Sequence, residues 1–292
     1  MAVKLQTIKD IRTYISSELS SLYTVRETAA ITNIVISHVL GVDRVTLLAS
    51  GNDMNLEGKK AGRIVQIIRS LKAGKPVQYA VGETLFFNCR IKVGPGVLIP
   101  RPETEELVDL VIRENPRFRG RIIDIGTGSG CIAIALAANL PQASITAVDN
   151  SQRALRTATE NAGINRVNIT FVRDDIMRAD PEGYEKAGII VSNPPYVTDS
   201  ERKLIKSNVI DHEPRRALFV PDTDPLKFYR AILEFAGKIL KPGGTVYFEI
   251  NEAMGEKAYR LISSYGYGGV TIIKDINGKD RIAKGKKNDR SV

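Results

Sequence analysis

The first 74 residues carry hydrophobic residues at helical spacing. Three stretches place apolar side chains every three or four positions, which predicts one buried helix face in each. The positions are Ile8, Ile11, Ile15 and Leu19, then Ile31, Ile34 and Val35, and then Ile64, Ile67, Ile68 and Leu71. Gly74 and Pro76 interrupt the pattern. We therefore expect a small all-helical domain over residues 1–75, with a role in substrate recognition.

A pattern typical of β-strands follows Gly74 and Pro76. Residues 84–87 and 89–93 are rich in Phe, Leu, Ile and Val on either side of Asn88, which predicts a β-hairpin. We assign residues 76–98 to a β-hairpin connector. The prolines and the acidic cluster of residues 100–106 then fit the start of a helix, whose positive end favours carboxylates.

From Arg121 onward, apolar strands alternate with helices. Strands are predicted at 121–125, 144–148, 168–172, 188–191 and 245–250, and helices at 131–140, 152–161 and 226–240. Such alternation indicates an α/β domain with a parallel sheet covered on both faces. Two further strands, at 270–275 and 281–284, flank Asn277-Gly278, a hairpin turn, so the last pair should be antiparallel. We expect this domain to span residues 99–292, with 284–292 disordered.

Composition excludes several classes of protein. Of 292 residues, 43% are apolar and 26% are charged, too much apolar content for a disordered chain. No apolar run approaches the roughly 20 residues of a membrane-spanning helix, and the first residues lack the apolar core of a secretory signal. Two cysteines make no disulfide framework or metal cluster. We therefore expect a cytoplasmic protein with no membrane partner and no metal.

The net charge of +9 is concentrated at the ends of the chain. Residues 1–74 and 279–292 each carry +4, whereas the remaining 204 residues carry only +1. A basic periphery can attract an acidic protein or nucleic acid, but a solvated helix face with a basic tail is the simpler interpretation. Because the central body is nearly neutral, we expect no stable complex with nucleic acid.

A glycine-rich turn, Asp124-Ile-Gly-Thr-Gly-Ser-Gly130, joins the first strand of the α/β region to its helix. Glycines allow a sharp turn and close approach of a ligand, and the carboxyl ends of parallel strands are where open α/β sheets bind small molecules. The next strand ends at Asp149, whose carboxylate can accept hydrogen bonds from both ribose hydroxyls. These features predict a cofactor that contains a nucleoside.

The glycine spacing argues against a dinucleotide. The dinucleotide fingerprint needs its third glycine three residues after the second, where this chain has Cys131. The third glycine comes one residue earlier, at Gly130, and no Gly-Lys-Ser/Thr of a phosphate loop follows. The turn therefore suits a cofactor without a pyrophosphate.

The segment Asn193-Pro194-Pro195-Tyr196 follows the fourth strand, which we expect to lie beside the first and to face the same crevice. The prolines fix the backbone and remove two N–H donors, and Asn193 adds a side-chain carbonyl. Together they can hold both hydrogens of a planar NH₂ group, against which Tyr196 can lie flat. Drawing positive charge onto those hydrogens stabilises the transition state as the nitrogen attacks a methyl group. An Asn-Pro turn that merely ends a strand is the alternative.

These motifs, in this order, resemble those of class I S-adenosylmethionine methyltransferases that modify planar amino groups. With residues 99–105 (Ile-Pro-Arg-Pro-Glu-Thr-Glu), the helical N-terminal region and residues 275–281 (Asp-Ile-Asn-Gly-Lys-Asp-Arg), the chain resembles the release factor glutamine methyltransferases, the PrmC/HemK family. The resemblance covers nearly the whole chain and is strongest from about Tyr79 to Lys286.

The resemblance implies a Rossmann-like sheet of seven strands and methylation of the glutamine side-chain nitrogen (N5) in the Gly-Gly-Gln motif of peptide-chain release factors. It implies S-adenosylmethionine as cofactor, release factors as partners and a monomer. The implied cofactor-binding residues are Gly126, Thr127, Gly128, Ser129, Gly130, Asp149, Asp175, Ile176 and Asn193. The implied substrate-binding residues are Asn193, Pro194, Pro195 and Tyr196, of which Asn193, Pro194 and Tyr196 are catalytic. Arg101-Pro-Glu-Thr104 would close over the site or simply start a helix.

Three other functions remain open at this point. Two keep the chemistry and change the substrate, to a glutamine of a ribosomal protein or to the N6 of adenine in nucleic acid. The third is a regulator that binds the nucleotide and transfers nothing. Asn-Pro-Pro-Tyr alone is shared with adenine methyltransferases, whereas the segment from Pro100 to Glu105 and the helical region favour release factors.

Overall fold

Helices make up the first part of the chain. The computed structural model describes residues 5–49, 58–204 and 207–288. The helices of this part are α1 (Ile8–Leu19), α2 (Val25–Leu40), α3 (Arg44–Ala49), α4 (Gly58–Lys72) and α5 (Val77–Val81). Both α1 and α2 begin with a capping box, in which a threonine hydroxyl and an acidic side chain each accept a backbone N–H of the first turn.

The predicted buried faces are confirmed for α1 and α4, whose four apolar positions are each at most 1% exposed. In α2 the prediction is wrong at Ile34, which is 40% exposed. Ile36 is buried in its place, and Thr28 and Thr32 complete the buried face. Thr32 lies there at little cost because its hydroxyl donates to the carbonyl of Thr28 at 2.7 Å. A polar residue that satisfies itself within the helix is invisible to a count of apolar spacing.

The remainder alternates strands and helices around a central sheet. It contains these elements: β1 (Glu83–Phe86), β2 (Cys89–Lys92), α6 (Pro102–Glu114), β3 (Arg121–Ile125), α7 (Cys131–Asn139), β4 (Ser144–Asp149), α8 (Gln152–Ile164), β5 (Thr170–Arg173), β6 (Ala187–Ser192), β7 (Val197–Thr198), α9 (Ser207–His212), β8 (Phe219–Val220), α10 (Lys227–Ile239), β9 (Leu240–Glu249), α11 (Gly255–Ser264), β10 (Tyr267–Lys274) and β11 (Asp280–Lys287).

Seven strands form the main sheet, in the order β10-β11-β9-β6-β3-β4-β5. Neighbours from β9 to β5 pair in parallel, whereas β11 pairs antiparallel with both β9 and β10. The mostly parallel seven-stranded sheet with an antiparallel C-terminal pair is therefore confirmed. Because β6 lies beside β3, the Asn193 segment and the glycine turn leave the sheet at the same edge.

The chain divides into two compact units whose limits differ from the predicted ones. One unit consists of Met1–Gly82 with Ser207–His212, and the other of Glu83–Lys206 with Glu213–Val292. Residues 77–81 were expected in the connector but form a helix that belongs to the first unit. The predicted hairpin is present as β1 and β2, turning through Phe87 and Asn88, which have φ of 46° and 62°.

The expected disorder from residue 284 is wrong as far as Lys287. Strand β11 continues to Lys287 because it lies between two strands, so its backbone bonds on both sides. Gly285 lies opposite Val246 and Lys286 opposite Thr245. The lysine-rich composition suggested a frayed tail, but a ladder depends on backbone groups and tolerates charged side chains that reach solvent. Residues 289–292 lie outside the described part of the chain. No helix in that part is long and apolar enough to cross a membrane.

Gly130 joins the glycine turn to α7 and packs closely against α8. Its φ is 82°, which side chains other than glycine rarely adopt, and a Cβ added there would lie 2.9 Å from the Cβ of Ala158. The close approach of α7 and α8 therefore depends on this glycine.

We predict that Gly130→Ala lowers the free energy of unfolding by about 2 kcal/mol, through strained backbone and overpacking. Gly163→Ala is the matched control, because a Cβ there meets nothing within 4 Å and the residue lies within α8. It should be neutral or stabilising by up to about 1 kcal/mol. Urea denaturation of the three proteins measures both changes, and equal stability of Gly130→Ala and the wild type would contradict the packing argument.

Candidate active site

The glycine turn is held against the end of the neighbouring strand. The backbone N–H groups of Gly126 and Thr127 both donate to the carbonyl of Val148, at 2.8 and 3.0 Å. Gly126 and Gly128 have φ of 76° and 56°, and a Cβ added at either would meet no atom closer than 3.9 Å. The turn therefore exposes its backbone to open space at these two glycines.

A buried carboxyl group stabilises the glycine turn from the protein interior. Asp124, at the end of β3, is 0% exposed, and its Oδ2 accepts the hydroxyl of Thr127 at 2.6 Å. Burial raises the pKa of Asp124 to about 7. The side chain fixes the turn and does not line the cleft described below.

Asp149 ties the turn to the end of β4. Its Oδ2 accepts the backbone N–H of Gly128 at 2.9 Å, and its Oδ1 accepts that of Ser151 at 2.8 Å. Burial raises the pKa of Asp149, while these hydrogen bonds and the charge of Arg216 oppose the rise. Each carboxylate oxygen has a further lone pair. The group can therefore accept two more hydrogen bonds from a ligand.

The glycine turn is also fastened to α8, through a residue that sequence reasoning missed. Asn161 is fully buried and its Nδ2 donates to the carbonyl of Ser129 at 2.9 Å and to that of Lys92 at 3.0 Å. Its Oδ1 accepts the N–H of Lys92 at 2.7 Å. A fully satisfied buried amide of this kind fixes the turn relative to β2. Its only sequence signal is a polar residue on the otherwise apolar face of α8.

A cleft opens at the carboxyl ends of β3, β4 and β6, and it brings together most of the predicted site residues. Those that line it are Gly126, Gly128, Asp149, Asp175, Ile176, Asn193, Pro194 and Pro195. The other predicted residues do not line it: Thr127, Ser129, Gly130 and Tyr196. Thr127 and Ser129 are at most 4% exposed and face the protein interior. They shape the turn, whose residues Ile125, Gly126 and Gly128 line the cleft.

The amide of Asn193 is held from behind by a polar pair. Its Nδ2 donates to the hydroxyl of Thr104 at 3.1 Å, and that hydroxyl donates to Oε2 of Glu249 at 2.6 Å. Among the described residues, Oδ1 of Asn193 has no hydrogen-bond partner. An acceptor therefore borders the cleft beside the glycine turn.

Tyr196 is anchored to the same carboxylate. Its hydroxyl donates to Oε1 of Glu249 at 3.1 Å, and burial, followed by the charge of Glu249, raises the pKa of Tyr196. Glu249 is 1% exposed, and burial raises its pKa as well. Glu249 belongs to no motif, although a carboxylate at the apolar end of strand β9 is an unusual feature that could have singled it out.

Several lining residues carried no motif and were not predicted. Arg216 borders the cleft and donates from Nη2 to the hydroxyl of Ser151 at 2.6 Å. Apolar side chains from α10 and from the segment before α6 close other parts of the wall, and they are Phe228, Ile232, Val97 and Leu98. Residues far apart in sequence give no local pattern that predicts such a wall.

Arg101 does not close over the cleft. Its guanidinium pairs with Glu213, which is 4% exposed and also accepts the N–H of Ile99 at 3.0 Å. Pro102 is the first residue of α6, and Thr104 is the third. Of the segment 101–104, it is therefore Thr104 that reaches Asn193. The described residues contain no group of three or more His, Cys, Asp or Glu side chains arranged to hold a metal ion.

Comparison with known proteins agrees with this geometry. The family model "Methyltransferase small domain" matches residues 104–218, and the model "PrmC N-terminal domain" matches residues 10–82. The fold resembles the crystal structure of a methyltransferase from Pyrococcus furiosus, with a TM-score of 0.52 and 18% identity, over 80% of this chain and 100% of that one. The matched domain model and the shared fold are both those of methyltransferases.

Closer relatives specify the family. The chain is 47% identical to the release factor glutamine methyltransferase of Bacteroides thetaiotaomicron over 93% of this chain and 97% of that protein. It is 43% identical to that of Flavobacterium psychrophilum, over 95% and 98%. The chain belongs to the release factor glutamine methyltransferase family.

The pKa of Asp124 predicts how stability depends on pH. The folded protein keeps the carboxyl proton of Asp124 up to about pH 7. The unfolded chain, in which Asp has its ordinary pKa of 3.8, loses that proton at lower pH. The contribution of Asp124 to the free energy of unfolding should therefore decrease as pH rises from about 4 to 7. Asp124→Asn keeps an acceptor for Thr127 and removes the titration. Between pH 5 and 8, the free energy of unfolding of Asp124→Asn should therefore rise on the order of 2 kcal/mol relative to that of the wild type.

Denaturation with guanidinium chloride at pH 5, 6, 7 and 8 measures this gain. Asp199→Asn, at an exposed carboxylate, is the control and should follow the wild type at every pH. Parallel curves for Asp124→Asn and the wild type would show that Asp124 is not protonated in the folded protein.

Proposed function

We propose that the protein transfers a methyl group from S-adenosylmethionine to the side-chain nitrogen N5 of the glutamine in the Gly-Gly-Gln motif of peptide-chain release factors. The observation that carries the proposal is the orientation of Asn193. Its NH₂ group is bonded to Thr104, which leaves its carbonyl oxygen as the free polar atom of a residue that lines the cleft. A free acceptor at this place suits a substrate that presents hydrogens on a planar nitrogen. The relatives named for glutamine methylation support the same substrate group.

The residues of the cleft fit S-adenosylmethionine. Open space beside Gly126 and Gly128 leaves room for the methionine portion against the glycine turn. Asp149 offers two carboxylate oxygens, each with a spare lone pair, to the ribose hydroxyls. Arg216 is the one basic side chain among the lining residues, which suits a nucleoside without phosphates.

The adenine end of the cleft has a mixed lining. Ile176 is partly buried against the core and presents an apolar surface, while Asp175 borders the cleft beside it. We assign both to the adenine ring. Thr127, Ser129 and Gly130 serve the cofactor indirectly, since they fix the turn whose glycines border the cleft.

S-adenosylmethionine supplies an electrophilic methyl group on a sulfonium. The chain's own residues make the amide nitrogen of the substrate able to attack it. Asn193 Oδ1 and the carbonyl of Pro194 accept its two hydrogens, which gain positive charge as the nitrogen lone pair is used. The second proline and Tyr196 keep these acceptors in place, Tyr196 through its hydrogen bond to Glu249. When the new N–C bond has formed, the S–C bond to the methyl group would have broken with its electron pair left on the sulfur of the neutral thioether product, and one of the two amide protons would pass to solvent.

The wider setting of the reaction follows from this substrate. Release factors act in translation, so we place the protein in the cytoplasm, as a monomer that meets its protein substrate transiently. We assign recognition of the release factor to the helical unit, which the family model of the N-terminal domain matches. The nearly neutral central region gives no support for a stable nucleic-acid complex.

Mass spectrometry tests the proposal directly. Purified protein is incubated with S-adenosylmethionine and, in separate reactions, a release factor, ribosomal proteins and DNA. We expect methylation of the Gly-Gly-Gln glutamine, and none when that glutamine is replaced by alanine. Methyl groups on a ribosomal protein or on adenine would assign a different substrate, and no transfer to any of them would favour a regulator that only binds the nucleotide.

Paired variants separate the roles of Asn193 and Asp149. Asn193→Ala should lower kcat at least about 100-fold, because its acceptor acts on the reacting group, and leave the Kd for S-adenosylmethionine within about twofold. Asp149→Ala should raise that Kd at least about tenfold, since hydrogen bonds to a charged group are lost. Calorimetry and steady-state kinetics measure both. An equal loss of affinity and turnover in Asn193→Ala would show that Asn193 has only a structural role.

A further inference from the structure

A buried carboxylate lies behind the Asn193 segment, outside the cleft itself. Glu249 is 1% exposed between Phe248 and Ile250, which are both 0% exposed. Burying a carboxylate is unfavourable unless donors satisfy it. Here both oxygens are satisfied by hydroxyls, from Thr104 at 2.6 Å and Tyr196 at 3.1 Å. Glu249 is therefore held without touching the space that a substrate would occupy.

Arg281, the cation whose charge acts on this carboxylate, has partners of its own. Arg281 bonds Asp275 at 3.2 Å and lies 3.5 Å from Glu252. Burial raises the pKa of Glu249, and the charge of Glu103 raises it slightly further. The charge of Arg281 lowers this pKa, but by less than burial raises it. The side-chain hydrogen bonds of Glu249 thus come from neutral hydroxyl groups. A third hydroxyl, that of Tyr229, donates to the backbone carbonyl of Glu249 at 3.0 Å.

The carboxylate sets the direction of the hydrogen bonds that reach Asn193. Both oxygens of Glu249 accept, one from Thr104 and one from Tyr196, so Thr104 gives its single hydroxyl proton to Glu249. The hydroxyl of Thr104 can then only accept from its other neighbour, Asn193. The atom of Asn193 that faces Thr104 must therefore be Nδ2, as observed at 3.1 Å. The carbonyl oxygen is left to face the cleft.

The same carboxylate fastens the other end of the segment, through Tyr196. Both ends of Asn193-Pro-Pro-Tyr196 thus depend on one side chain, with two rigid prolines between them. A cleft acceptor held in this way needs no reorganisation when a substrate binds, which is the condition for strong transition-state stabilisation.

We propose that Thr104 and Glu249 are positioning residues that fix the polarity of the Asn193 amide, so that it presents an acceptor and not a donor to the substrate NH₂ group. The proposal rests on the function given above. Without the hydroxyl of Thr104, the amide of Asn193 can rotate by 180° and place its NH₂ group toward the substrate, where it opposes the substrate hydrogens.

Thr104→Val and Thr104→Ser test the proposal as a matched pair. Valine keeps the shape and removes the hydroxyl, whereas serine keeps the hydroxyl. Thr104→Val should lower kcat at least about tenfold, the usual order for residues that orient a reacting group, with the Kd for S-adenosylmethionine within about twofold. Thr104→Ser should retain kcat within about threefold. Equal kcat in Thr104→Val and the wild type, or an equal loss in both variants, would overturn the proposal.

Glu249→Gln is a second variant that tests the direction of the chain of bonds. Glutamine has nearly the same shape, but its NH₂ group can donate to Thr104 and so free that hydroxyl to donate to Asn193. We expect a loss of kcat of at least about fivefold, with an unchanged Kd for S-adenosylmethionine. Full activity of Glu249→Gln would show that an acceptor-only group is not required.

A spectroscopic measurement separates this inference from the proposed substrate. In protein labelled with ¹⁵N-asparagine, the side-chain amide signal of Asn193 is the one that Asn193→Ala removes. Its hydrogen bond to Thr104 should protect one proton from exchange with water, and Thr104→Val should abolish that protection while Thr104→Ser preserves it. If the wild type methylates no release factor, the proposed function fails and this result still decides the positioning role. Unchanged protection in Thr104→Val would overturn it.

Discussion

Carboxylates at the ends of parallel strands hold the irregular segments on which the active site depends. Asp124 lies one residue before the end of β3 and accepts from Thr127, Asp149 ends β4 and accepts from Gly128, and Glu249 ends β9 and accepts from Thr104. Asp124 and Glu249 are buried, and Asp149 is half-buried. Each hydrogen bond restrains the turn or helix start that carries its donor. The parallel sheet makes this arrangement possible because it brings these strand ends to one edge.

Much of this arrangement could be predicted from the sequence. Strand–helix alternation predicts the parallel sheet, because it follows from local periodicity. The turn at Asn277-Gly278 predicts the antiparallel C-terminal strand pair, because its residues favour a hairpin. The glycine turn, Asp149 and the Asn193 segment follow predicted strands directly, so their meeting at one edge follows from strand order. Six of the eight predicted residues that line the cleft belong to this group, and the other two, Asp175 and Ile176, were implied by the family resemblance alone.

The rest depends on contacts between residues distant in sequence. Ile34 is exposed because Ile36 is buried in its place and a self-satisfied Thr32 shares the buried face, and Lys287 is ordered because β11 lies between two strands. The buried glutamate of β9 reaches α6 across 145 positions of the chain. Arg101 pairs with Glu213 across 112 positions and leaves the cleft open. Neither pairing has a local signal, because each is decided by how the helices cover the sheet.

The two halves of the active site are anchored separately, and this has a consequence for specificity. The cofactor half depends on Asp124, Asp149 and Asn161, and the substrate half on Glu249 and Thr104. An acceptor aimed at a planar NH₂ group suits adenine as well as glutamine, because both present two hydrogens on a delocalised nitrogen. In the proposed reaction, Asn193 therefore selects the reacting group but not the molecule that carries it. Discrimination between a protein loop and a nucleobase must come from surfaces beyond the cleft.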